Sequence, residues 1–273
     1  MSKKILVVGG GGAKGAYAVG LLTKFNKSYD KYYGTSTGAL IAPLVALGKY
    51  EELKEAYLSL NNKSIYSVNP FNKKGKLSKF NIIKRALKKE NSFGESDNLK
   101  KLIRKYYTEE DHKSLRIRSI EVIVTVTNMT TNKTGYISNL KTNYESFVEC
   151  IWTSTLAYPF TGLNGIFADG GYSSPVPIVK ACKDNPGANI DVIVLDTEKD
   201  EKFNPNGLLD AIPSIINELL RTLFIKDKGY ANHLSKENNI KINYYYTPYS
   251  LTENSMRFDK TEMKDWFKLG NKI

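Results

Sequence analysis

Short apolar runs alternate with longer stretches of helical periodicity along this chain. Residues 5–8 form an apolar run that ends at a glycine, as buried parallel strands often do, and residues 15–25 carry apolar side chains along one helical face. The pattern predicts further strands at 31–33, 120–126 and 192–195, and further helices at 39–47, 98–106, 144–155 and 208–224. This alternation predicts an α/β fold, in which a parallel sheet carries helices on both faces.

The helix predicted from residue 208 carries a continuous apolar stripe at helical spacing. We interpret the stripe as a face that packs in the core, so that Leu219→Asp should unfold the protein. A lid that faces lipid is the alternative. The stripe consists of Ile212, Ile215, Ile216, Leu219, Leu220, Leu223 and Phe224.

The chain length of 273 residues suits one large domain better than two small ones. No internal repeat, linker or low-complexity tract divides the sequence, so we expect a single domain over residues 1–273. Residues 69–96 are basic and polar, and we expect them to form an excursion from the sheet. Residues 178–273 contain little that is diagnostic of a particular fold.

The composition adds a strong positive charge, with a formal net charge of +12. Such a surplus attracts polyanions, so contact with an anionic membrane is one interpretation, and a coding bias toward lysine, asparagine and tyrosine is the other. We expect no specific nucleic-acid partner. The charge is concentrated in a basic segment that contains Lys73, Lys74, Lys76, Lys79, Lys84, Arg85, Lys88 and Lys89.

The cysteines bear on disulfide and metal chemistry, and the apolar runs bear on the cellular location of the protein. Cys150 and Cys182 are too few for a disulfide framework, and they lack metal-ligand spacing. The first apolar run stops at Gly9, too early for a signal peptide, and no other run is long enough to span a bilayer. We therefore expect a cytoplasmic protein, at most peripheral at a membrane, without metal.

A glycine-rich loop, GGGAKG at residues 10–15, follows the first predicted strand and opens the first helix. Its backbone N–H groups and the helix N-terminus together favour an anion. The spacing also fits the dinucleotide fingerprint, although Asp30 precedes the second strand instead of following it. A nucleotide-binding module therefore remains an alternative. The candidate anion-binding residues are Gly10, Gly11, Gly12, Lys14 and Gly15.

A second glycine-bracketed motif, GTSTG at residues 34–38, lies between a predicted strand and a predicted helix. Strand, turn and helix are the context that a nucleophile elbow requires, because Gly34 and Gly38 permit a turn sharp enough to expose the Ser36 hydroxyl. A serine that merely caps the helix is the alternative. Adjacent parallel strands would bring the glycine loop beside Ser36, where it could serve as an oxyanion hole.

A third motif places Asp169 before Gly170 and Gly171, after a short apolar run. Such a loop can present a carboxylate, although a plain turn has the same composition. An aspartate is a weak base toward a serine hydroxyl, since its reference pKa is about 3.9. Partial burial would raise that pKa toward neutrality.

In this order and spacing, the motifs resemble those of the patatin-like phospholipases. GGGAKG is similar to the family's oxyanion loop, with Lys14 at its basic position, GTSTG to its nucleophile elbow, and ADGG at residues 168–171 to its aspartate motif. TLAYP at 155–159 resembles the family's S-x-A-x-P stretch, with Thr155 in place of serine. The resemblance covers about residues 5–177.

The resemblance implies the family's three-layer fold and hydrolysis of fatty-acyl esters in phospholipids or other lipids, without a cofactor. In this reading Ser36 attacks the ester carbonyl, Asp169 takes the proton of Ser36, and N–H groups near Gly11 and Gly12 hold the oxyanion. An α/β-hydrolase with a triad of Ser36, Asp169 and His233 is the nearest competitor. That fold places its elbow after several strands, whereas Ser36 follows the second one predicted here.

Overall fold

A computed structural model describes residues 2–72, 75–199 and 207–273, with the backbone alone at 208–210. Lys73 and Lys74 of the basic segment lie outside the described residues. Within them, the chain forms a central sheet whose strands are β1 (Lys4–Val8), β2 (Lys31–Thr35), β3 (Glu121–Asn128), β4 (Lys133–Ser138), β5 (Phe167–Asp169), β6 (Asn189–Thr197) and β7 (Lys241–Thr247).

The sheet is largely parallel, in the order β4-β3-β2-β1-β6-β7. The pairs β1–β2, β2–β3, β1–β6 and β6–β7 are parallel, whereas β4 and β5 both run antiparallel to β3. Because the central strands are parallel, their carboxyl ends meet at one edge of the sheet. The loops that follow β1 and β2 therefore lie side by side.

The helices of the described residues are α1 (Gly15–Phe25), α2 (Thr37–Ala46), α3 (Tyr50–Ser59), α4 (Asn62–Ile65), α5 (Lys79–Leu87), α6 (Asp97–Tyr106), α7 (Glu109–Ile117), α8 (Tyr144–Thr153), α9 (Ile178–Asp184), α10 (Leu208–Glu237) and α11 (Lys260–Gly270). None of them combines the length and the apolar character that crossing a bilayer requires.

Both faces of the sheet are buried, so the predicted α/β fold with three layers is confirmed. On β1, Leu6 and Val8 belong to the apolar cluster that α1, α2 and α8 cover. Ile5 and Val7 point to the opposite face and belong to a second cluster, which α9 and α10 cover. This double burial explains why β1 is apolar at successive positions instead of alternating.

The sequence pattern missed the strands β4 and β7, as well as several helices. β7 carries three consecutive tyrosines at the edge of the sheet, where most of its side chains are only half-buried. α7 was overlooked although Thr108 and Asp111 form a capping box at its start. His112 is a buried residue of this helix.

In the excursion expected over residues 69–96, the described residues contribute no strand to the sheet. The excursion contains α5, and small antiparallel bridges close it, joining Val68 to Glu95 and Phe71 to Leu77.

The core-packing interpretation of the apolar stripe on α10 holds for Ile212 and Ile216, which are partly buried against the core, and is wrong for Ile215 and Leu219. Leu219 is 60% exposed, Ile215 is exposed as well, and Ile216 and Leu220 line a cleft. Farther along, α10 packs against the other face of the sheet, where Phe224 is buried. The expected unfolding of Leu219→Asp therefore loses its physical basis, because the substituted side chain would lie in solvent.

Helices α1 and α11 approach each other closely at two glycines. An added Cβ at Gly20 would lie 2.1 Å from the carbonyl oxygen of Phe267, and one at Gly270 would lie 2.2 Å from that of Tyr17. Gly229, in the middle of α10, has no atom within 4 Å of its would-be Cβ. Gly229 and Gly20 are both helical and have the same intrinsic helix propensity, but only Gly20 is in close contact with another helix.

We predict that substitution by alanine has opposite effects on stability at Gly229 and at Gly20. Gly229→Ala should raise the free energy of unfolding by about 0.5–1 kcal/mol, because alanine favours the helix. Gly20→Ala should lower it by about 1–3 kcal/mol, because the methyl group forces α1 and α11 apart. Urea denaturation of both variants checks the pair, and equal stabilisation would contradict the close packing.

Candidate active site

Ser36 occupies a sharp turn between β2 and α2. Its backbone adopts φ 54° and ψ −120°, a conformation that non-glycine residues rarely adopt. Both flanking glycines are required by space, because a Cβ at Gly34 would lie 2.3 Å from the carbonyl oxygen of Gly38, and one at Gly38 would lie 2.0 Å from that of Val8. This strand–turn–helix geometry is that of a nucleophile elbow.

The glycine loop lies beside this elbow because β1 and β2 are parallel neighbours. Val8 pairs with Gly34, so the residues that follow each strand leave the sheet together. A Cβ added at Gly10 would lie 3.1 Å from the Cβ of Ser36. The loop therefore passes closer to Ser36 than most side chains would permit.

The N–H groups of the loop differ in their partners. Gly10 donates to the carbonyl oxygen of Pro175 at 2.9 Å, Lys14 donates to that of Gly11 at 3.0 Å, and Gly15 donates back into the loop. Among the described residues, no acceptor is found for the N–H groups of Gly11 and Gly12. These two donors are available to a ligand, whereas the others of the predicted set are engaged.

Asp169 reaches Ser36 through the sheet. β3 extends beyond the carboxyl end of β2: Thr35 pairs with Thr125, and the next residue, Val126, pairs with Asp169 of β5. β2 and β5 therefore pair with successive parts of the same edge of β3. Ser36, which follows β2, and Asp169, at the end of β5, come together where one strand ends and the other lies next to it. Gly170 permits this approach, because a Cβ there would lie 2.3 Å from the Thr125 carbonyl oxygen.

The Asp169 carboxyl is buried, and burial makes it a weaker acid. Burial raises the pKa of Asp169 from 3.8 to about 6, while a hydrogen bond from the Ser36 hydroxyl and one from the Gly171 N–H partly oppose that rise. The Gly171 N–H donates to Oδ1 at 2.7 Å. The carboxylate is thus ionised at neutral pH and more basic than an exposed aspartate.

Two contacts of this site were not predicted from the motifs. Oγ of Ser154, a buried residue, accepts the Ser36 N–H at 2.9 Å and so supports the strained turn. The carbonyl oxygen of Ser255 accepts the Ala13 N–H at 2.7 Å and so holds the glycine loop from the C-terminal part of the chain. Ser154 directly precedes TLAYP, a sequence signal that could have drawn attention to it, whereas Ser255 has none.

A cleft of about 620 Å³ opens over Ser36 and Asp169. The glycine loop lines it on one side, and the first half of α10 and residues 250–258 line another. Its lining includes a set of apolar residues, here called the apolar arm: Leu40, Tyr57, Leu60, Ile65, Phe71, Leu77 and Leu99. Beyond its wall lies an apolar cavity of about 60 Å³, which shares Leu40, Tyr57, Leu60 and Leu99 with the cleft.

Similarity to known proteins shows the family of this chain. Residues 6–181 match the family described as Patatin-like phospholipase. The chain belongs to this family. A 53-residue stretch is 45% identical to the "cUMP-AMP-activated phospholipase" of Escherichia coli, a match covering 16% of this chain and only 17% of that relative. VipD from Legionella pneumophila aligns over 99% of this chain and 67% of its own, with a TM-score of 0.44 and 13% identity.

Neither histidine of this patatin-like chain is placed for a triad. His233 is an exposed residue of α10 that contacts Glu237 at 3.2 Å, and it does not line the cleft. His112 contacts the Tyr107 hydroxyl and the Thr142 carbonyl oxygen in the core. The triad alternative therefore lacks its base. In the described part of the chain, no cluster of His, Cys, Asp or Glu side chains suits a metal ion.

The dinucleotide alternative lacks its ribose contact. Asp30 precedes β2 and accepts the backbone N–H of Lys4 at 2.7 Å, at the amino ends of the strands. The glycine loop lies at the carboxyl end of β1, so the sheet separates the two. An acid that holds a ribose would have to follow β2.

The raised pKa of Asp169 predicts a dependence of stability on pH. Because the folded pKa of about 6 exceeds the unfolded value of 3.8, stability is lost as pH rises through this interval, by about 3 kcal/mol in total. Asp169→Asn removes the buried charge and should raise the free energy of unfolding above about pH 7 by up to this amount. The difference from the wild type should vanish near pH 4.

Urea denaturation at several pH values checks this, with Asp184→Asn as the matched control. Although burial alone raises the pKa of Asp184, hydrogen bonds from Lys180 and Tyr33 bring it below the ordinary value. Asp184→Asn should therefore lower stability at neutral pH. If both variants are less stable than the wild type at neutral pH, the ionised Asp169 carboxylate does not destabilise the fold.

Proposed function

We propose that this chain hydrolyses fatty-acyl esters of lipids, with Ser36 as the nucleophile and Asp169 as the base. The carrying observation is the meeting of three features at one edge of the sheet. These are the half-buried elbow serine that lines the cleft, a buried carboxyl with a raised pKa, and two N–H groups in the glycine loop for which the described residues supply no acceptor. Nucleophile, base and oxyanion donors are the parts that acyl transfer needs.

In the proposed reaction, Oγ of Ser36 attacks the ester carbonyl carbon while its proton passes to Asp169. Negative charge develops on the carbonyl oxygen, and the N–H groups of Gly11 and Gly12 stabilise it, each by about 3 kcal/mol. The intermediate collapses to an acyl-enzyme as Asp169 returns the proton to the departing alcohol. Water, deprotonated by Asp169, then releases the fatty acid and restores Ser36.

Burial of Asp169 supports its role as a base at neutral pH. A carboxylate with a pKa of about 6 is ionised at neutral pH, yet accepts a proton more readily than an exposed aspartate would. The Gly171 N–H fixes Oδ1, which orients the carboxyl toward the elbow. In a Ser-His-Asp triad, an aspartate orients the histidine base. In the proposed dyad, the Gly171 N–H orients the Asp169 base.

The proposed catalytic unit includes the C-terminal part of the chain. Residues 250–258 and α10 lie beyond the segment that matches the family, yet both line the cleft. Ser255 also fixes the glycine loop through Ala13. This supports a single domain over residues 1–273, as expected from the length.

We predict that Ser36→Ala and Asp169→Asn each lower kcat/KM for a soluble short-chain ester by about 10⁴-fold or more. His233→Ala should stay within about twofold of the wild type, because His233 lies in solvent away from the cleft. Initial rates of the purified variants measure this, with circular dichroism as the control for folding. Labelling of the wild type, but not of Ser36→Ala, by a fluorophosphonate identifies the nucleophile independently. Wild-type turnover in Ser36→Ala would refute the proposal.

The apolar arm of the cleft supports a long acyl chain as the part of the substrate held there. It consists of aliphatic and aromatic side chains, and Leu40 belongs to α2, the helix that follows Ser36. Each CH₂ group buried in such an arm contributes about 0.8 kcal/mol. Leu99 of α6 belongs to the wall between the arm and the small apolar cavity, whereas Leu102 lines that cavity alone.

We predict that Leu99→Ala joins the two spaces and shifts the preference toward longer acyl chains. Each additional CH₂ accommodated should raise relative kcat/KM by about fourfold. Leu102→Ala is the matched control, since it removes the same atoms from the same helix and leaves the wall in place. Rates on a series of esters of increasing chain length compare the two, after unfolding curves allow for a loss of about 2–4 kcal/mol. Identical profiles would place the acyl chain elsewhere.

A further inference from the structure

Helix α5 exposes an apolar face that no described residue covers. Phe80 is 74% exposed, Ile83 is 60% exposed and Leu87 is 81% exposed. Their spacing of three and four residues places them on one side of the helix. Three large apolar side chains that share one exposed face differ from the scattered apolar residues of an ordinary surface.

The opposite side of α5 is anchored, so the apolar face is held outward. Arg85 is buried, and its guanidinium donates to the Ser92 carbonyl oxygen at 2.6 Å and to the Glu95 carboxylate at 3.0 Å. The Asn81 side chain donates to the carbonyl oxygen of Asn69 at 2.8 Å. A helix fixed in this way cannot roll its apolar side chains into the core without losing these contacts.

Basic side chains flank the apolar face. Lys79 and Lys84 are exposed on α5, and Lys88 and Lys89 follow directly after it. α5 itself contains no acidic residue. Within the described part of the chain, none of these four lysines forms a salt bridge. Their charge is therefore directed to solvent on both sides of the apolar stripe.

The same segment borders the cleft. Lys76 and Leu77, just before α5, line the cleft, and the Asn254 side chain ties this stretch to the far wall by donating to the Gly75 carbonyl oxygen at 2.6 Å. A surface that binds α5 would thus lie near the cleft that contains Ser36.

We propose that the exposed face of α5 docks on an anionic lipid surface. Phe80, Ile83 and Leu87 insert between the head groups, and the flanking lysines contact lipid phosphates. An apolar stripe bordered by lysines is the arrangement of helices that lie in a membrane interface. Three side chains are too few for a stable protein–protein interface of about 1,200–2,000 Å². The choice of lipid as partner rests on the proposed function.

The experiment measures sedimentation of the full chain with vesicles, in the Ser36→Ala background so that no lipid is cleaved. Pure phosphatidylcholine vesicles are compared with equimolar phosphatidylcholine and phosphatidylglycerol. The test variant carries Phe80→Ser, Ile83→Ser and Leu87→Ser, and the charge variant carries Lys84→Glu and Lys88→Glu. Ile117→Ser removes an equally exposed apolar residue at the end of α7 and is the matched control.

The parent should bind anionic vesicles more tightly than neutral ones, and salt should weaken that binding. The apolar variant should lose at least about tenfold in affinity for anionic vesicles. The charge variant should also lose at least about tenfold in affinity for anionic vesicles, and its affinity for neutral vesicles should change little. Ile117→Ser should bind like the parent.

Three results would each overturn the proposal: parental binding by the apolar variant, equal binding of the parent to both kinds of vesicle at low salt, or no vesicle binding at all. The last would leave the α5 face to a protein partner. These failures are distinct from failure of the hydrolase proposal, which is judged by wild-type turnover of a soluble ester.

Discussion

The site depends on β3 being longer than its neighbour β2. Where β2 ends at Thr35, β3 continues, and its free edge is paired by the short antiparallel strand β5. The backbone hydrogen bonds of that edge thereby fix Asp169 opposite the residue that leaves β2, which is Ser36. A side chain positioned by a sheet row is held more rigidly than one positioned by a loop, which matters when a nucleophile and its base must remain in contact.

The parts of the fold that sequence reasoning recovers are those whose local signals agree with their burial. Residues 5–8 read as a buried strand because both faces of β1 are covered, and Ser36 reads as an elbow because its glycines are sterically required. The contact between Ser36 and Asp169 has no comparable local signal. It arises from the register of β3 with two strands that are far apart in sequence, and register is a tertiary property.

The cleft walls illustrate the opposite case. The stripe on α10 has the periodicity of a core helix, yet its first half extends over the cleft and leaves Leu219 in solvent. Periodicity reports that one face of a helix is apolar, and it does not report what that face meets. The same limit applies to Ser255, which contributes only a carbonyl oxygen to the glycine loop, a group that every residue type carries.

Carboxylates at the two edges of the sheet have opposite chemistry. At the amino edge, Lys31 lies 2.8 Å from Glu121 and Lys180 lies 2.6 Å from Asp184. Burial alone raises the pKa of each of these acids, but the hydrogen bonds from the lysines bring it below the ordinary value. At the carboxyl edge, Asp169 is buried with a hydroxyl and an amide as its donors, so burial prevails and its pKa rises.

This difference is what the proposed function requires of the two edges. An acid neutralised by lysine gains stability from its charge and becomes a poorer base, which suits a structural role. A buried acid without a cation retains a tendency to take a proton, and the Ser36 hydroxyl is one of its hydrogen-bond donors. The protein therefore holds Asp169 in a state that costs stability and favours proton transfer. A cation introduced beside Asp169 would reverse both effects at once, since it would stabilise the fold and weaken the base.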